Sequence, residues 1–91
     1  MKLTDPKFEE KWMLEFAARL RHRMEYLNIN SRELAKRAGI TGPAITNWLR
    51  RETTPTAMNI VKVAKILAVK PEYLIDFPDS TYDDQPEENE V

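Results

Sequence analysis

Apolar side chains at Phe8, Trp12, Met13, Phe16, Ala17, Leu20, Met24 and Leu27 recur every three or four residues. That period predicts an amphipathic helix of about 20 residues ending near Asn28. Asp5 ahead of it is a good N-cap, and Pro6 is preformed for the first helical position.

The next stretch, residues 31–51, reads SRELAKRAGITGPAITNWLRR. Leu34, Ala35, Ala38, Ile40, Ile45, Trp48 and Leu49 are apolar or small, with Gly39 between the two runs. The pattern predicts a second helix, a tight turn and a third helix. Asn30 and Glu33 stand as an N-cap and N3 pair, a capping-box arrangement, and Ile29 and Leu34 occupy the hydrophobic-staple positions around them. Gly39 stops the second helix because glycine tolerates positive φ. Thr41 is expected to cap the third helix, with Ile40 and Ile45 as its staple. Pro43 is tolerated in the first turn, where N–H groups lack intrahelical partners. Two short helices at this spacing form the helix-turn-helix unit, whose second helix enters the DNA major groove.

Residues 52–55 read as a loop. A fourth helix succeeds it with Ile60, Val63, Ala64 and Leu67 inward. Pro71 opens a short fifth helix to about Ile75, stapled by Val69 and Leu74, although Lys70 is a poor cap. From residue 77 the chain reads FPDSTYDDQPEENEV, whose low hydrophobicity and uniform charge predict a disordered tail or linker. The expected organisation is an arm at residues 1–5, a domain at 6–76 and an acidic tail at 77–91. No strand pattern or internal repeat is evident.

Charge changes the picture. The net charge of −1 conceals two halves. All 14 Lys and Arg lie in residues 1–70 beside 7 acids, a net of +7, whereas residues 71–91 hold 8 acids and no Lys or Arg, a net of −8. A basic body with an acidic tail points to nucleic acid. At 91 residues one small domain is expected. The absence of cysteine excludes disulfides, thiolate nucleophiles and Cys-based zinc sites. No apolar run approaches the roughly 18 residues of a membrane span, and residues 1–12 lack the apolar region of a secretory signal. One His, two serines and two glycines leave no constellation for nucleophilic, metal or phosphate-loop chemistry, so no catalytic residue, metal, cofactor or small-molecule ligand is expected. RNA binding is disfavoured because no exposed aromatic set interleaves with the basic residues.

Residues 16–76 resemble the helix-turn-helix domain of lambdoid phage repressors and Cro-type regulators. The likeness rests on Leu34-Ala35, Gly39-Ile40-Thr41, Ile45, Trp48, Pro55, Ala64, Leu67-Ala68-Val69 and Tyr73-Leu74. It implies an all-α, compact five-helix lambda-repressor-like domain, here with an extended first helix. It also implies a cytoplasmic regulator in a bacterial cell or phage-infected host, dimeric on paired operator half-sites of double-stranded DNA. Two positions depart from the pattern. Met24 and Leu49 stand where the family often pairs Arg with Glu, an exchange that costs little or even stabilises. Gly42-Pro43-Ala44 stands where the family often carries base-reading Gln or Ser.

On the third helix Ile45, Trp48 and Leu49 face inward, and Pro43, Thr46, Asn47 and Arg50 form the opposite face. Asn47 can pair with adenine, Arg50 with guanine or a phosphate, and Thr46 with either kind of partner, while Pro43 and Ala44 can pack on a thymine methyl. Phosphate contacts are expected at the N-termini of the second and third helices, through Asn30, Ser31, Arg32, Thr41 and Gly42, where free N–H groups favour an anion. Arg51, Thr53 and Thr54 are expected to grip the backbone beyond the third helix, and Lys2 and Lys7 form a weak basic arm.

Simpler readings stand beside these. Trp48 is expected in the core rather than stacked on a base. The apolar stripe of Phe8, Trp12, Met13 and Phe16 packs either on the fourth and fifth helices or on a second subunit, and Tyr73, Ile75 and Phe77 raise the same question. Arg19, Arg21, His22 and Arg23 read as a solvated basic face, Glu9 and Glu10 as surface charge, and Lys62, Lys65 and Lys70 as the solvent side of the fourth helix. The tail either solubilises and links, or shields the basic face. The leading expectation is a sequence-specific transcriptional regulator of phage or prophage repressor type. The alternative is an antitoxin-type module that binds a toxin protein and its own promoter.

Overall fold

The computed structural model describes residues 2–77. Five helices succeed one another: α1 (Pro6–Leu27), α2 (Ser31–Ala38), α3 (Gly42–Leu49), α4 (Ala57–Leu67) and α5 (Pro71–Ile75). Among the described residues there is no strand.

Local chemistry places most boundaries. The Asp5 carboxylate accepts from the Lys7 N–H at 2.9 Å, Asn30 Oδ1 from Glu33 N–H at 2.8 Å, and Thr56 Oγ1 from Asn59 N–H at 3.2 Å. Each satisfies an N-terminal donor that the helix leaves free. The reciprocal half of the expected capping box is missing, because the Glu33 carboxylate pairs with Arg37 at 2.6 Å, one turn further on. Thr41 also departs from expectation. It sits at the N-cap of α3, yet its hydroxyl makes no cap bond. Pro43 removes one N–H that the hydroxyl would accept, and the Ala44 N–H already donates to the Thr41 carbonyl at 3.2 Å.

The core confirms the apolar stripes. Phe16, Leu20, Leu34, Ile45, Val63, Leu67 and Leu74 are fully buried, and Trp48 joins them at 2% exposure. All three staple pairs reach this cluster or pack against it. Met24 is buried and Leu49 packs on the core, so the pair that replaces the family's Arg and Glu is apolar packing. Leu27, by contrast, is 39% exposed, although Met24 in the same last turn of α1 is buried.

The extension of α1 packs on its own domain. Trp12 stacks on Phe16 at 5.2 Å between centroids and donates its Nε1–H to the Ile75 carbonyl at 3.2 Å. Phe77, assigned to the tail by its sequence neighbours, is fully buried. Its ring lies 6.1 Å from that of Trp12 and beneath the Arg19 guanidinium, 4.8 Å away. The hydrophobic core therefore includes Phe77. Residues 78–91, the rest of the expected tail, lie outside the described residues, as does Met1.

Arg21 is exposed, as composition suggested, but Arg19 and Arg23 are half-buried and depart from a solvated face. Arg19 Nη1 donates to the Tyr73 carbonyl at 2.8 Å, Arg23 Nε to the Leu67 carbonyl at 2.8 Å, and Arg21 Nη2 to the Leu49 carbonyl at 3.4 Å. The accepting groups lie in the last turns of α5, α4 and α3, where helices leave carbonyls unpaired and partial negative charge accumulates. One long helix thus ties down the ends of three short ones. His22 is exposed, as expected.

Candidate nucleic-acid interface

Packing of α2 against α3 decides which face of α3 stays free. Ile45 and Trp48 are buried, so the residues a half-turn away point outward. Pro43, Thr46, Asn47 and Arg50 share one open concavity with Gly42 and with Asn30, Ser31 and Arg32 at the start of α2. The surface joins four of the five expected base readers to four of the expected phosphate contacts. None of its lining residues is a carboxylate. Arg50 lies just past the end of α3 but keeps right-handed backbone angles, φ −86° and ψ −3°, which hold it in line with the helical face.

Ala44 does not join them. It is half-buried and packs against the core, although it was expected to pack on a thymine methyl. Thr41 is exposed at the margin, its hydroxyl free of helix capping.

Arg51, Thr53 and Thr54 fall on a second concavity, with Arg50 shared between the two. Its other walls are Glu9, Glu10, Met13 and Glu52. Three carboxylates there oppose an anion, so the expected phosphate grip of Arg51, Thr53 and Thr54 is electrostatically weaker than that of the α2–α3 face. Arg51 adopts φ +63°, and the two bonds that close α3 run from Arg51 N–H to the Trp48 carbonyl at 3.0 Å and from Glu52 N–H to the Asn47 carbonyl at 2.8 Å. A left-handed residue here turns the chain sharply and projects the Arg51 side chain away from the α3 axis.

Sequence reasoning missed Lys36. It lies one turn after Arg32 and lines a neighbouring concavity with Asn30, Arg32, Glu33 and Arg37. The i, i+4 spacing of Arg32 and Lys36 was the available signal. Lys2 and Lys7 are exposed, beside a turn closed by Asp5 N–H and the Lys2 carbonyl at 3.0 Å. Among the described residues no group of three or more His, Asp or Glu is placed to hold a metal ion, and no helix is long and apolar enough to cross a membrane.

Known proteins share this arrangement. The Helix-turn-helix family model matches residues 20–74, which leaves the first turns of α1 outside the matched segment. Repressor protein C2 of Salmonella phage P22 is 37% identical over 57 residues, 63% of this chain and 26% of the repressor. An uncharacterized HTH-type transcriptional regulator of Haemophilus influenzae is 36% identical over 59 residues, 65% of this chain and 24% of the regulator. The chain thus spans about a quarter of the length of these curated relatives. The crystal structure of the P22 c2 repressor in complex with a synthetic operator superposes with a TM-score of 0.63 at 34% identity, covering 67% of this chain and 92% of that one. The solution structure of the P22 c2 DNA-binding domain gives a TM-score of 0.62 at 36% identity, covering 65% and 78%. The family match, the sequence identity and the superposition together show that this chain belongs to the helix-turn-helix family of the lambdoid phage-repressor type.

Proposed function

We propose that this chain is a sequence-specific reader of double-stranded DNA that acts as a transcriptional repressor by occupying an operator and excluding polymerase. The carboxylate-free surface that joins the outer face of α3 to the N-terminus of α2 carries the reading. Its support is the likeness to a repressor whose structure was determined in complex with a synthetic operator. Asn47 reads adenine through N6 and N7, Arg50 reads guanine, and Thr46 and Pro43 complete the contact with hydrogen bonds and methyl packing. Ser31, Arg32 and the N–H of Gly42 hold phosphates in register, which positions the protein without specifying sequence. The freed hydroxyl of Thr41 adds a donor at the same edge.

One or two bidentate pairs discriminate by about 1–3 kcal/mol each, too little for one copy to select an operator. We therefore include a homodimer in the proposal, with half-sites about 34 Å apart. The antitoxin alternative uses the apolar first helix and the acidic tail as its partner-binding parts, and the tail from residue 78 lies outside the described residues. That stripe is consumed by Phe77 and α5, which favours the DNA reading.

Selection of bound sequences from a random duplex pool, combined with salt titration, tests the proposal. Asn47→Ala is expected to relax preference at one base position. Arg32→Ala is expected to weaken all sequences alike and lower the salt slope by about one. A uniform loss for Asn47→Ala would remove it from base reading, and a pool with no enriched sequence would refute specific recognition.

A further inference from the structure

We infer that the acidic segment 78–91 docks on the α2–α3 face of its own chain and competes there with DNA. The inference rests on the DNA reading of that face and adds its regulation.

Three observations carry it. The first is where the described chain ends. Phe77 is locked beside Trp12, Trp12 and Thr54 line one cleft, Thr54 and Arg50 line the next, and Arg50 and Asn47 line the α2–α3 concavity. A continuous surface path therefore leads from the start of the segment to the recognition helix.

The second is reach. Fourteen residues extend to about 46 Å, and the described residues measure 44 × 22 × 20 Å. Asp83 lies six residues beyond Phe77, about 20 Å along the chain.

The third is a match between two charge patterns. The clefts nearest Phe77 carry Glu9, Glu10 and Glu52, which repel an acidic strand. Residues 78–82, which would cross them, contain the single acid Asp79. The α2–α3 concavity beyond has no carboxylate, and neither Arg32 nor Arg50 has an ion-pair partner among the described residues. Asp83, Asp84, Glu87, Glu88 and Glu90, which would reach it, hold the other five acids and are accompanied by no Lys or Arg.

Tethering gives the segment an effective concentration near ~1 mM. With the segment held on the face as weakly as non-specific DNA at the weak end, a Kd of about 0.1 mM, docking lowers apparent DNA affinity about tenfold.

The test compares the full chain with a full-length variant in which Asp79, Asp83 and Asp84 become Asn and Glu87, Glu88 and Glu90 become Gln. Binding is measured on a random-sequence 30-base-pair duplex at low and high salt, and backbone amide shifts are recorded without DNA. Docking predicts about tenfold tighter binding by the variant at 50 mM salt, a gap that closes at high salt as charges are screened, and amide shifts that differ at Arg32, Asn47 and Arg50. Tighter binding without those shift differences would reduce the effect to net charge and overturn docking. Differences confined to the α4 surface of Lys62 and Lys65 would overturn the assigned face. Equal, measurable binding with identical shifts would overturn the inference alone, whereas no binding by either chain would sink the DNA reading and the competition with it.

Discussion

Four backbone positions show how single residues set the turns of this protein. Asn28, Gly39, Arg51 and Ala68 adopt φ of 56°, 74°, 63° and 59°. Each closes a helix with the same pair of bonds, such as Val69 N–H to the Ala64 carbonyl at 3.1 Å and Ala68 N–H to the Lys65 carbonyl at 3.3 Å. A left-handed L-residue costs roughly 1–2 kcal/mol, least for Asn. Gly39 was legible as such a turn because only glycine announces it. Arg51 and Ala68 were not, since nothing in their chemistry favours positive φ. Ala68→Gly is expected to stabilise by about 0.5–1 kcal/mol after the added freedom of the unfolded chain is deducted. Thermal unfolding should show a rise of about 4 °C, and an unchanged midpoint would mean that Ala68 is not strained. Arg51→Gly separates two roles: the midpoint should rise while duplex affinity falls.

At the scale of elements, α1 is the organiser. Its apolar face builds the core, and its polar side chains finish α3, α4 and α5 by donating to Leu49, Leu67, Tyr73 and Ile75 carbonyls. Arg23→Met keeps the aliphatic stem and removes the donor, leaving the Leu67 carbonyl without its partner; a loss of about 1–2 kcal/mol in urea unfolding is expected. Phe77→Ala should cost about 3 kcal/mol or more, because a fully buried ring disappears beneath Arg19 and beside Trp12. A cost under about 1 kcal/mol, far below that of a buried ring, would return Phe77 to the tail. The elements themselves were legible from spacing, caps and staples. The partners of Arg19, Arg21 and Arg23 were not, because periodicity along one helix carries no record of which distant carbonyl a side chain will meet.

Across the whole molecule, the distribution of charge governs how the candidate interface behaves. The α2–α3 face presents arginine without carboxylate, while the adjoining cleft sets Glu9, Glu10 and Glu52 around Arg51. Glu9 and Glu10 belong to the turns of α1 that precede the family match at residue 20, so two of the three carboxylates come from the extension, and Glu52 lies within the match. Glu10→Gln is expected to tighten binding to every duplex alike, about two- to threefold at 50 mM salt and less as screening rises. A change that depended on sequence would instead place Glu10 at a base edge. The outer face of α3 was legible because Ile45 and Trp48 point one way and Thr46, Asn47 and Arg50 therefore point another. The half-burial of Ala44 against the core was not legible, because a methyl fits an inward and an outward position alike.

Sequence alone determined the helices, their order, the buried stripes and the polar face of the third helix. Those features arise from local periodicity and from capping groups a few residues apart, interactions that short segments contain within themselves. Tertiary structure alone decided that Phe77 is core, that Arg19 and Arg23 donate to carbonyls at the ends of α5 and α4, that Ala44 packs half-buried against the core and that carboxylates from α1 border the loop after α3. Each of these depends on residues far apart in the chain meeting in space, and the free energy of such meetings is written in packing and electrostatics rather than in the order of residues.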